Sequence, residues 1–362
     1  GAGIPVIFTD LSQLPDSNRL YAPQAWFWSQ YLPSENSEEA ARRLPNPFDP
    51  EGAKLTFAQL GRLLYFKANH RKVLVTGYEK AAPRLLIGSL NAADGSANHS
   101  NVAALVDGAV AIYAAQSELA VADWSLAAGD GKASEAELLS AKTISRIRAG
   151  LPQAESLPKA PPGAPSVAWR SEGAVREAML DALNRAGVGT RVDAAIFYFS
   201  DREVVEAFQQ ALDRGAAVRL LMDANRDAFG REKNGIPNRM VAAELMEQSS
   251  DSVIEVRWAA TRGEQYHAKV LRISGPDQDV LMLGSANWTR RNLANLNLEA
   301  NVIFKDAPTL SGEFDVYFNT IWTNAGGIEA TQPYAAWAEE GWALKWKTRL
   351  YRFQEWSGAS TF

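Results

Sequence analysis

Two short stretches carry side chains whose types and spacing suit chemistry. In the first, His70 is followed by one residue and then Lys72; Ser89 stands nineteen residues after the histidine, and Asn91 closes the sequence GSLN. In the second, His267 and Lys269 repeat the pair; Ser285 stands eighteen residues after the histidine, and Asn287 closes GSAN. Two of the chain's three histidines are used in this way, and an internal repeat is the first organising signal in a sequence. The residue types fit transfer at a phosphodiester. That group is anionic and resists attack by another anion, whereas neutral imidazole attacks it and forms a phosphohistidine. A second imidazole, protonated, gives its proton to the leaving oxygen and later takes one from water or an alcohol. Two lysines and two asparagines hold the non-bridging oxygens as charge develops. The scheme needs no cofactor, and the sequence has none of the usual metal-ligand spacings.

Further residues bear on the site. Glu299 follows Asn287 by twelve residues, a spacing that suits a carboxylate behind His267. Its best first-half counterpart is Asn101, ten residues after Asn91. A carboxylate favours the imidazolium, while an amide orients an imidazole without charging it. On that pairing His70 is the neutral nucleophile and His267 the general acid, then base. Ser89 and Ser285 are either hydrogen-bond partners of the site or turn residues. His99, in SANHSN, has no second-half counterpart; it either lines and supports the cleft or is packed as core.

The paired H-x-K and G-S-x-N motifs resemble those of the phospholipase D superfamily, and the resemblance runs over nearly the whole chain. It departs at the fifth residue after each lysine, where Gly77 and Ser274 replace the usual aspartate. The resemblance implies an α/β fold of two pseudo-twofold-related halves, each a mixed β-sheet flanked by helices, with the active cleft between them. It implies a carboxylate behind His267 and a nucleophile in the first half. The activity it implies is hydrolysis of a phosphodiester or transfer of a phosphatidyl group to an alcohol, as in cardiolipin and phosphatidylserine synthases. The superfamily's nucleases supply the alternative substrate, and a silent binding protein is a third possibility that the complete motifs disfavour.

The elements that must position these residues are legible in the second half. There VAWR, VDAAIFYFS, AAVRLLMDA and VIEVRW read as strands, alternating with helices over EGAVREAMLDALNRAG, DREVVEAFQQALDRG and NRMVAAELMEQ. Unbroken apolar strands alternating with helices mean a sheet covered on both faces. Asp201 is placed to cap the second helix. KVLRI and VLMLG, split by Gly-Pro-Asp, read as a hairpin. In the first half GIPVIFT, VLVTG, RLLIGSLN and AALVDGAVAIY read as strands, and 57–67 and 134–150 as helices. Trp26, Trp28 and Tyr31 form an aromatic segment read as core or cleft wall. Five prolines within 151–165 mark a linker over 151–166 between halves at 1–150 and 167–362. The first half lacks counterparts of the elements at 167–216, so a removed N-terminal segment or a capped sheet edge is expected.

Composition narrows the partners. The 362 residues are 46% apolar, ample for a core, and carry a net charge of −5 that gives no general attraction to nucleic acid. Without cysteine there is neither disulfide nor thiol nucleophile. No apolar run approaches the ~20 residues of a membrane span. The last 41 residues hold five of eleven tryptophans, and Trp342, Trp346, Leu350 and Phe353 fall on one helical face among Lys345, Lys347, Arg349 and Arg352. That composition suits a membrane interface, although packing on the protein body is the commoner use of such a face. The expected partners are therefore a phospholipid surface and water or a small alcohol, with no nucleic acid. The expected location is peripheral to a membrane, in the cell envelope, the periplasm or the cytoplasm.

Overall fold

The computed structural model describes residues 6–17, 19, 66–77, 82–127, 135–228, 231–248 and 253–358. The expectations for residues 1–5, for the aromatic segment at 26–31 and for the helix over 57–65 lie outside these.

The first motif is carried by three antiparallel strands, β1 (Val73–Thr76), β2 (Arg84–Gly88) and β3 (Ala103–Asp107), in that order. Gly108, at φ +97°, turns the chain into helix α1 (Ala109–Ala127). The sequence reading carried the strand on through AVAIY; the alanine-rich run after Gly108 prefers the helix. Residues 6–10 form no strand, in contrast to the reading of GIPVIFT. Helix α2 (Glu135–Gly150) follows, and irregular chain with one short turn at 154–156 leads to β4 (Ser166–Ser171).

From there the chain alternates as its pattern predicts: α3 (Gly173–Asn184), β5 (Arg191–Ile196), α4 (Arg202–Asp213), β6 (Ala217–Met222), the short pair β7 (Asp227–Ala228) and β8 (Arg231–Glu232), α5 (Asn238–Gln248) and β9 (Ile254–Ala259). Asp201 caps α4, accepting from the Val204 amide at 3.2 Å. The hairpin β10 (Lys269–Gly275) and β11 (Gln278–Gly284) turns at Pro276–Asp277, and then come α6 (Arg290–Leu293), β12 (Ala300–Lys305), α7 (Pro308–Trp322), β13 (Thr331–Pro333) and α8 (Gly341–Ser357). Eight strands form one mixed sheet in the order β13-β9-β6-β5-β10-β11-β12-β4. Within it β5, β6 and β9 run parallel, as strands joined through helices must.

Side chains alternate across this sheet. Ala194, Ile196, Leu271 and Ile273 face α3, α4 and α5. Ala195, Val270, Leu281 and Leu283 face the other way, onto Phe314 and Phe318 of α7 and onto Leu85, Ile87, Ala104 and Val106 of the small sheet. The two sheets thus share one core layer. Arg71, between His70 and Lys72, ties them further. Its buried guanidinium pairs with Glu118 of α1 at 2.9 Å and with Glu172 at 2.6 Å. Glu172 holds φ +50°, a costly conformation for a residue with a side chain. Its carboxylate answers both Arg71 and the Glu299 amide.

The glycine of each G-S-x-N ends a strand pressed against its neighbour. A Cβ on Gly284 would fall on the Ala300 carbonyl oxygen and on Asn301; one on Gly88 would fall on the Val102 carbonyl oxygen and on Ala103. Gly284→Ala should therefore force β11 and β12 apart and cost at least ~2 kcal/mol in chemical denaturation. An unchanged midpoint would show that the strands can yield.

Candidate active site

Each histidine sits on a segment that pairs with the other motif's surroundings. The His70 amide donates to the Leu298 carbonyl at 2.8 Å, and the Leu298 amide to the Ala68 carbonyl at 3.0 Å. The His267 amide donates to the Ser100 carbonyl at 2.9 Å, and the Ser100 amide to the Gln265 carbonyl at 2.9 Å. This crossed pairing sets which supporting residue meets which histidine. Glu299 lies behind His70, with Oε1 2.7 Å from Nδ1. Asn101 lies behind His267, with Oδ1 3.1 Å from Nδ1. The expectation that Glu299 stands behind His267 is therefore wrong: a spacing of twelve residues along the chain says nothing about which strand end the backbone pairs with.

Asn101 and Glu299 are nevertheless equivalent, as the sequence suggested. In the first motif the Ser89 hydroxyl donates to Asn101 Oδ1 at 3.1 Å and accepts from the Val102 amide at 3.0 Å. In the second the Ser285 hydroxyl donates to Glu299 Oε2 and accepts from the Ala300 amide at 2.9 Å. Both serines are buried and brace the supporting residue. The lysines also match: Lys72 Nζ donates to the His70 carbonyl at 2.6 Å, and Lys269 Nζ to the His267 carbonyl at 2.9 Å.

These partners fix the tautomers. A carboxylate only accepts, so His70 carries its hydrogen on Nδ1 and leaves the Nε2 lone pair open. Asn101 spends its amide hydrogens on the Ser96 and His99 carbonyls, at 2.8 and 3.0 Å. Its oxygen therefore faces His267, whose Nδ1 also holds the hydrogen. His99 is the reverse case. Its Nδ1 accepts from the Gln265 amide at 3.1 Å, so the hydrogen is on Nε2. Its ring centre lies 6.1 Å from that of His267, which places it beside the site rather than in a separate core.

Electrostatics separates the two motifs. Burial lowers the His70 pKa; Glu299 opposes that, while Lys72 and Lys269 add to it. Burial lowers His267 far more, with Lys269, His70 and Lys72 adding to the effect and no carboxylate among the causes. Lys72 is lowered to about 8, chiefly by burial. Lys269 is lowered well below its ordinary value by burial and by Lys72. Burial alone would raise Glu299, but His70, Lys72 and the Ser285 hydroxyl outweigh it and hold the carboxyl below its usual range. The side chain of His70 is 22% exposed, whereas His267 is buried. Asn287 is buried with its Oδ1 position unpartnered, and no hydrogen bond to a side-chain atom of Asn91 is found among the described residues.

Sequence reasoning missed several members of the site. Phe197 packs its ring 4.7 Å from His267, with Lys269 Nζ 5.2 Å from its centre; an aromatic at a strand end gives no signal of that kind. Asn292 donates to Glu299. Asp223, in the RLLMDA run, accepts from the Tyr266 amide at 2.8 Å and so fixes the residue before His267; burial pushes its carboxyl up to about 6.

Residues 179–322 match the family model described as cardiolipin synthase, PLD-like domain. Comparison with curated protein sequences finds no match. Among solved structures, phosphatidylserine synthase from Haemophilus influenzae Rd KW20 gives a TM-score of 0.52 at 14% identity, over 80% of this chain and 68% of that one. The phospholipase D family member Nuc from Salmonella typhimurium gives 0.35 at 21% identity, over 47% of this chain and 99% of the other. Two H-x-K and G-S-x-N motifs brought to one place, the family match over the second of them, and the mixed sheet flanked by helices have one reading in common: residues 179–322 carry a PLD-like domain, and the chain around it resembles the phospholipase D superfamily.

Proposed function

We propose that the chain transfers the phosphoryl centre of a phospholipid diester to water or an alcohol through a phosphohistidine on His70. What carries this reading is the charge balance of the site. His70, Lys72, His267 and Lys269 lie together with Glu299 against His70; burial disfavours the charged form of all four, and repulsion from neighbouring cations adds to this at His70, His267 and Lys269. A phosphodiester monoanion among them relieves that repulsion and raises each pKa, so binding itself supplies the protonated acid.

In the first step His70 Nε2 attacks phosphorus as the bond to the leaving oxygen breaks, and His267 gives that oxygen a proton from Nε2. In the second, water or an alcohol attacks phosphorus, His267 takes its proton, and the phosphorus–nitrogen bond breaks. Two features favour His70 as attacker. The phosphorylated ring is cationic, and Glu299 lies against its Nδ1–H. His70 is also the more exposed imidazole, with room for the adduct. His267 acts as acid, oriented by an amide. This keeps the roles read from the sequence and replaces their reason: the carboxylate serves the nucleophile.

A lipid substrate is favoured over nucleic acid by the net charge of −5 and by α8, whose Trp342 and Trp346 face outward. Of the face read from the sequence, Leu350 packs on the body while Trp342, Trp346 and Phe353 stay exposed, which supports this reading. Among the described residues no helix is long and apolar enough to cross a membrane. Incubation with a panel of phospholipids and with nucleic acid, with and without alcohol, should yield lipid products by mass. Nucleotide release without lipid turnover would replace the substrate class and leave the chemistry standing.

Trapping tests the roles. With a good leaving group, His267→Ala should still accumulate label on His70, and His70→Ala should accumulate none; label on His267 would reverse the assignment.

The pH dependence tests the asymmetry. Activity needs His70 neutral and His267 protonated, and the two apparent pKa values belong to the pair. Asn101→Asp places a carboxylate behind His267 and raises its pKa, so the alkaline limb of kcat/KM should move up by about one pH unit. Glu299→Gln should lower kcat by at least about a hundredfold. An unmoved alkaline limb in the first variant would remove His267 from the acid role.

A further inference from the structure

Helix α8 is held to the body by one face only. On that face Tyr351 is buried and donates to Glu244 at 3.2 Å; Glu355 is buried and accepts from the Ser200 hydroxyl at 2.8 Å and the Arg290 amide at 2.7 Å. The opposite face carries Trp342, Trp346, Phe353 and Trp356, which are 77, 55, 48 and 52% exposed. The spacing of these four aromatics puts them in one stripe. Trp342 and Trp346 stack with ring centres 6.3 Å apart, and Phe353 and Trp356 lie 6.1 Å apart. Lys345 and Arg349 are exposed along the stripe and have no hydrogen-bond or ion-pair partner among the described residues.

At the C-terminal end of the stripe an open cavity of about 460 Å³ is lined by Arg19, Arg202, Arg290 and Arg352 beside Trp356. Glu206 and Glu355 also line it, but burial pushes Glu355 up to about 7 and so weakens its charge. Arg202 and Arg352 share Glu244, at 2.7 and 3.3 Å. Arg290 is lowered by burial and then by the like charge of Arg19. The cavity therefore has cationic charge to spare. The same end of the helix reaches the catalytic segment: Arg291 donates to the Gly358 carbonyl at 2.8 Å and lies 4.9 Å over the ring of Phe66, four residues before His70.

A contiguous stripe of large exposed aromatics marks an interaction surface. Tryptophan with flanking lysine and arginine is the composition of the bilayer interface, where rings sit at headgroup level and cations meet anionic lipid. Four rings to two unpaired cations is the balance of an apolar interface, whereas a nucleic acid backbone calls for a track of cations. We propose that this face of α8 anchors the protein on an anionic bilayer, with the four rings in the headgroup region, Lys345 and Arg349 on lipid phosphates, and the arginine-lined cavity holding one further lipid phosphate. The anchor rests on the reading of the substrate as a phospholipid and adds where the bilayer lies.

The test is sedimentation of the His70→Ala chain, which binds without consuming lipid, with vesicles of phosphatidylcholine and of phosphatidylcholine mixed three to one with phosphatidylglycerol. Binding to the mixed vesicles is expected, with a blue shift of tryptophan emission. Adding Trp342→Ser and Trp346→Ser should weaken it at least about tenfold, and Lys345→Glu with Arg349→Glu should abolish the preference for the anionic vesicles. In the otherwise native chain the same substitutions should leave turnover of a small soluble diester within about twofold, because these four side chains are exposed on the outer face of α8, away from the end that meets Arg290 and Arg291. Failure to bind either vesicle, binding indifferent to these substitutions, or capture of a duplex oligonucleotide in place of vesicles would overturn the anchor, even if lipid in detergent is turned over. Binding that depends on α8 without lipid turnover would support the anchor and remove the substrate reading.

Discussion

A carboxylate shut away from water must receive its hydrogen bonds and its counter-charge from the protein, or it takes up a proton. Glu299 is such a group. Ser285, Asn292 and His70 surround its two oxygens, with Lys72 nearby. Each of these is placed by something larger: Ser285 by the register of β11 on β12, Asn292 by the short helix α6, and His70 by the pairing of 68–70 with Leu298. The site is thus an outcome of sheet register. A slip of one residue would turn Glu299 to the opposite face and leave a buried charge with nothing around it.

Arg71 works in the same direction from the other side. It occupies the variable position between His70 and Lys72, and its partners, Glu118 and Glu172, belong to the small sheet's helix and to the large sheet's edge. Glu172 also accepts from the Glu299 amide. The unusual backbone of Glu172 is accepted because one carboxylate joins the two sheets and the main chain of Glu299.

Much of this was legible in the sequence. The repeated spacing of His70, Lys72, Ser89 and Asn91 with His267, Lys269, Ser285 and Asn287 pointed to the proposed chemistry, because so few residue types perform it. The helices and strands from Ser166 to Gly284, apart from the short pair β7 and β8, followed from apolar runs alternating with amphipathic ones, and Asp201 was readable as a cap. What escaped was non-local. Glu299 was assigned to the histidine nearest it in sequence, and only strand pairing reveals that its partner is 229 residues away. Phe197 and Asn292 looked like any strand-end aromatic and any loop amide. The turn at Gly108 was missed because AALVD and AVAIY are both apolar, and periodicity does not separate short apolar runs.

The crossed support also has a consequence in time. A chain emerging from the ribosome presents His70 long before Glu299, and at roughly 5–20 residues per second the gap of 229 residues lasts on the order of ten to fifty seconds. Throughout that interval the first imidazole lacks its carboxylate, and for most of it the second imidazole as well. On the roles proposed for these residues, reactivity would arrive late, when strand β12 closes on β11, so a newly made molecule would act only after it had folded.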